Sequence, residues 1–172
     1  MMEVLDSETT AQHVRKIFGS LQFFEFSLPS AWRCAGIPWA KGKSTIQSIG
    51  QHFQDKPFEI FFYSGPDQRM LALACKGFEL DQIVDGTKDF LDVFLINEDG
   101  NIGIYADYWE DIGLILFKSE VESIAISMVP IQKYFDAFVA AYRHLATSNN
   151  FDPKYAEKLN SLVNYPTKLG RG

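Results

Sequence analysis

A chain of 172 residues is long enough to bury one sizeable core, and 47% hydrophobic against 22% charged residues is the composition of a globular protein and excludes a disordered one. A net charge of −6 argues against direct nucleic-acid binding, which depends on Lys and Arg neutralising phosphates. No apolar run approaches the roughly 18 residues of a bilayer span, the acidic start MMEVLDSETT lacks the form of a secretory signal, and two distant cysteines, Cys34 and Cys75, make neither a disulfide framework nor a zinc motif.

Ser7 is placed to cap a first helix, in which Ala11, Val14, Ile17 and Phe18 recur at helical spacing and Gly19 supplies the stop. QFFEFSLP follows as a short strand or a helical extension. Residues 29–43, PSAWRCAGIPWAKGK, predict a long loop pinned by Trp32 and Trp39. Ser44 then caps a second helix carrying Ile46, Ile49 and Phe53. EIFFYS (59–64) and RMLALACK (69–76) flank the turn GPDQ and form a hairpin. ELDQIVDGTKD is a helical turn or a crossing loop. Strands are expected near 90–97 and 102–108, and again in GLILFK (113–118) and ESIAISMV (122–129). Pro130 opens a helix whose apolar face is Ile131, Tyr134, Phe135, Phe138, Val139, Tyr142 and Leu145, and Asp152-Pro153 opens a last short one.

Strands joined by short connections favour antiparallel neighbours, because parallel pairs need long crossovers. The expected fold is a single α+β domain over residues 1–172. It is largely an antiparallel β-meander of about five to six strands, with N- and C-terminal helices packed on one face and residues 1–6 and 165–172 frayed.

The stretch DVFLINEDGNIGIYADYW (92–109) carries the most information about function. Asp99-Gly100 is a preferred pair for a two-residue type I′ turn. That turn sets Ile96 opposite Gly103, Phe94 opposite Tyr105 and Asp92 opposite Asp107. Leu91, Val93, Leu95, Ile102, Ile104, Ala106 and Tyr108 then share a core face. Asp92, Phe94, Ile96, Tyr105, Asp107 and Trp109 share a mixed one. Two directly opposed aspartates are unfavourable by up to about 1 kcal/mol. A nearby Arg33, Lys41 or Lys43, a metal, or a partner would offset that. Residues 77–111 carry ten acidic side chains against Lys88 alone, so the acidity of this protein is local.

Solvated surface and guarded edge strands account for many such acids. The functional alternative is a surface for a basic partner, with aromatic anchors and steering charges. Its candidate contacts are Asp92, Glu98, Asp99, Tyr105, Asp107, Trp109, Glu110 and Asp111.

Other motifs fail on spacing. GIPWAKGKST (36–45) has five residues between Gly36 and Gly42 where a P-loop needs four, with Pro38 and Trp39 among them. In NEDGN, placing a calcium-loop glycine at Gly100 puts the first ligand at Leu95, which cannot coordinate. His13, His52 and His144 fall on predicted helices without a metal-binding neighbour. No catalytic residue, cofactor or metal ligand is assigned. The expected function is therefore a non-catalytic, cytoplasmic, protein-binding module. Most concretely it is an immunity or antitoxin-type inhibitor that blocks a basic partner such as a toxin or nuclease domain, without touching nucleic acid or membrane. The alternatives are an adaptor or chaperone-like domain, and a metal-assisted enzyme using a carboxylate pair.

Overall fold

The structure is a computed structural model that describes residues 2–80, 82, 92–107, 112–128, 131–147 and 153–165. Seven strands build one antiparallel sheet: β1 (Glu3–Val4), β2 (Trp32–Pro38), β3 (Pro57–Ser64), β4 (Arg69–Lys76), β5 (Asp92–Asn97), β6 (Ile102–Asp107) and β7 (Ile112–Lys118). Their order across the sheet is β1-β4-β3-β5-β6-β7-β2. Beside them lie α1 (Ser7–Phe18), α2 (Trp39–His52), α3 (Glu122–Met128), α4 (Ile131–Ala146) and α5 (Pro153–Leu162). The protein is a single α+β domain with a large antiparallel sheet, as its patterning implies.

Helices cover both faces of that sheet, not one. On the first face Phe61, Phe94, Tyr105 and Leu116 pack with Val14 and Phe18 of α1, Phe138 of α4 and Leu159 of α5. On the second, Phe58, Ile60, Phe62, Leu95 and Ile115 pack with Ile46 and Ile49 of α2 and Ala125 of α3. The reason lies in the central strands. PFEIFFYS and DVFLIN are nearly continuous apolar runs, and such strands must bury both sides. The mixed hairpin face is therefore a second core face: Phe94 and Ile96 are buried there with Tyr105.

Local chemistry explains the boundaries. Asp6, one residue before the expected cap, is the N-cap of α1, its carboxylate accepting from Thr9 N at 3.0 Å. Gly19 ends that helix at φ +81, as expected. QFFEF forms a 3-10 turn over Phe23–Glu25. Residues 1–6, expected to fray, include β1, which pairs with β4 through Glu3 and Val4. Beyond Tyr165 the expected frayed tail lies outside the described residues, as do Pro130 and Asp152.

Two larger expectations change. The loop at 29–43 contains β2 and the start of α2, so that helix begins at Trp39, not after Ser44. ESIAISMV is not a strand but α3. Its buried residues are Val121, just before it, and Ala125, four apart as a helix requires, while Ile126 stays 45% exposed.

The outer edge of β2 is closed by the chain after α5. Cys34 N donates to Asn164 Oδ1 at 2.7 Å, and Cys34 O accepts from Asn164 N and Tyr165 N. That satisfies backbone groups which would otherwise form an open sheet edge.

Candidate functional site

The β5–β6 hairpin has the expected register, with Asp92 opposite Asp107 and Phe94 opposite Tyr105. Its turn differs from a two-residue type I′ turn, which needs positive φ at both central residues. Here Gly100 has φ +63 and Asp99 does not share it. Gly100 N instead donates to Asn97 O at 3.0 Å, and the Asn97 side-chain oxygen accepts from Asn101 N and Ile102 N. The longer loop keeps the register because Asn97 still ends one strand where Ile102 begins the other.

That register sets the site. Tyr63 of β3 pairs with Asp92, and Asp92 with Asp107, so the three form one cross-strand row. These residues and Tyr105 border a cavity of about 440 Å³, whose other walls include Phe23, Phe24 and Tyr155. Tyr155 stacks on Phe23 at 4.6 Å between ring centroids, and Phe23 lies parallel to Tyr105 at 5.9 Å. Phe24, 52% exposed, stands at the rim. Such ring pairs add about 0.5–1.5 kcal/mol beyond area burial, which fixes the walls.

Inside this aromatic frame Asp92 is electrostatically stressed. The Tyr105 hydroxyl donates to Asp92 Oδ1 at 2.7 Å. Asp92 is pushed up from 3.8 to about 6, mainly because burial penalises its charge. Asp107 adds to the rise, and the Tyr105 hydrogen bond opposes it. Among the described residues none of those causes is a cation. Burial and the same two carboxylates hold Tyr105 well above its ordinary value, so it stays a neutral donor. The arrangement can hold a proton on Asp92 or accept a positively charged group. Among the described residues no set of three His, Cys, Asp or Glu side chains forms a metal cluster.

The eight expected contact residues do not make one patch. Asp92, Tyr105 and Asp107 come together at the cavity. Tyr105 is only 1% exposed, so it is a core residue presenting its hydroxyl and not a surface anchor as expected. Glu98 and Asp99 are exposed at the other end of the hairpin, roughly 20 Å away at the rise of a strand. Trp109, Glu110 and Asp111 lie outside the described residues. Within the acidic window, Glu79 is structural: its Oε2 accepts from Lys76 N at 2.8 Å. Of the cations expected to offset the aspartates, Arg33 lies on β2 at the far edge of the sheet, paired with Phe117. The side chains of Lys41 and Lys43 are outside the described set.

Sequence reasoning missed Phe23, Phe24, Tyr63 and Tyr155. The run QFFEF signalled aromatic density without a location, and Tyr63 joins the site only through the β3–β5 pairing. Comparison with family models, with curated proteins and with solved structures gave no match.

Proposed function

We propose that this protein is a non-catalytic, cytoplasmic binding module of the immunity or antitoxin kind, which receives a Lys or Arg side chain of a basic partner in the Asp92–Asp107 cavity. One observation carries the reading. Two opposed carboxylates border an aromatic-walled cavity, and burial together with mutual repulsion disfavours the ionised form of Asp92. An entering cation relieves the repulsion and restores the charge.

The surrounding chemistry agrees. The apolar stem of Lys or Arg suits the rings of Phe24 and Tyr63, and its charged head suits the two carboxylates. The acidic stretch 77–111 would steer encounter, making association fast at low salt. Blocking follows if the captured side chain is one that the partner uses to hold a phosphate or another acidic substrate. Two buried free cysteines suit a reducing compartment. Among the described residues no single helix is long and apolar enough to cross a membrane.

The test is capture from the native cell with tagged protein, washed at low and high salt. A basic partner should be retained at low salt, weakened by salt, and lost with the Asp92→Asn/Asp107→Asn double variant. It should persist with Glu98→Gln/Asp99→Asn. Equal retention by the cavity variant removes this site from the function, and retention without salt dependence favours an adaptor that binds through apolar contact. A second reading has its own support: a carboxylate raised to about 6 suits general acid–base work near neutrality. Its metal-assisted form needs ligands beyond Asp92 and Asp107.

A further inference from the structure

A second cavity, of about 460 Å³, lies between α1 and the end of the sheet where β3 begins and β4 and β5 finish. Its floor is a cross-strand row, Ala74–Glu59–Ile96, flanked by Leu5. His13 Nδ1 lies 2.8 Å from Glu59 Oε2, tying α1 to β3 across the cavity wall. Two more charged side chains border it, Lys16 on α1 and Glu98 on the hairpin loop. Among the described residues neither makes an ion pair or a side-chain hydrogen bond.

An unpaired Lys and an unpaired Glu bordering one small cavity, whose floor sets Ala74 and Ile96 on either side of the His13-bound Glu59, define a ligand that carries both charges. A single anion would meet Glu98, and a single cation would meet Lys16. We propose that this cavity binds a small zwitterion with an apolar body, of the class of a free apolar α-amino acid. Its carboxylate pairs with Lys16, its ammonium with Glu98, and its side chain rests on Leu5, Ala74 and Ile96. His13 and Glu59 engage one another through the 2.8 Å Nδ1–Oε2 contact, which leaves Lys16 and Glu98 for the two charges of the ligand. The volume lies in the lower part of the range of small-molecule sites. This site is at the opposite end of the hairpin from Asp92 and stands or falls independently of the partner cavity.

The experiment is an NMR titration of the ¹⁵N-labelled full chain with L-leucine, L-methionine and L-phenylalanine. 4-Methylpentanoate and isopentylamine serve as the carboxylate-only and amine-only halves of leucine. At least one amino acid should shift resonances around His13, Lys16, Glu59 and Glu98 saturably, with each half-ligand about tenfold weaker or more. Lys16→Ala should bring leucine down to the affinity of the amine, and Glu98→Gln to that of the carboxylate. Both positions are exposed, so the variants keep the fold. The inference is overturned if none of the three amino acids moves these resonances at millimolar concentration, if the half-ligands bind as tightly as leucine, or if neither substitution weakens binding.

Discussion

Asp92 sits where its charge is least welcome. Its pKa is raised from 3.8 to about 6, so between those values the native state holds a proton that the unfolded chain has released. Stability therefore falls as pH rises through that window, by on the order of 3 kcal/mol in total. Asp92→Asn keeps an acceptor for the Tyr105 hydroxyl and removes the charge. We expect the variant to be more stable than wild type at pH 7 by on the order of 1–3 kcal/mol, with little difference at pH 4. Urea unfolding at the two pH values checks this, and a loss of stability at pH 7 would show that the ionised carboxylate is not strained. The opposed aspartates were legible in sequence because strand alternation on either side of Asp99-Gly100 fixes which residues face each other. The burial of Tyr105 was not, since alternation assigns it to a face without saying what covers that face.

Between elements, close approach decides which residues are tolerated. A Cβ at Gly36 would run into the ring of Phe138, itself fully buried, so β2 and α4 pack as tightly as they do only because Gly36 has no side chain. Gly36→Ala should cost about 1–3 kcal/mol through overpacking, seen as a lower urea midpoint with an unchanged slope. An unchanged midpoint would mean that α4 can move away freely. Asn164→Ala removes the side-chain acceptor for Cys34 N and should cost about 1–2 kcal/mol. Amide exchange at Cys34 should then be faster, and unaltered protection there would remove Asn164 from the edge closure. The same packing explains why β2 was illegible. Its stretch Cys34-Ala35-Gly36 is small on both faces, with Cys34 and Gly36 on the side where Phe138 of α4 packs and Ala35 in the opposite core, so it lacks the bulky residues that signal a strand. In α3 the alternation of Ile124, Ile126 and Met128 suggested a strand, but Ile126 faces outward and Val121 with Ala125 carries the burial.

Over the whole molecule, the acidic window 77–111 proved right as composition and misleading as geometry. Its described acids divide among a cavity, an exposed loop and a structural cap at Glu79. Linear charge density cannot show this, because the hairpin separates Asp92 from Glu98 by the length of a strand. The α+β class and most of the sheet were readable, since apolar runs and short connections leave few alternatives. The two-sided core was readable in principle from the continuous apolar runs of β3 and β5. The cavity depends on the meeting of the 3-10 turn, β3, β5–β6 and α5, which no local signal encodes.

The most direct test follows the Asp92 carboxyl by ¹³C NMR across pH, with and without Nα-acetyl-arginine amide at saturating concentration. A cation seated between Asp92 and Asp107 binds the ionised form better, so the pKa of Asp92 should fall from about 6 toward the ordinary range. An unchanged titration of Asp92, with shifts confined to the exposed Glu98 and Asp99, would contradict a cation-receiving cavity.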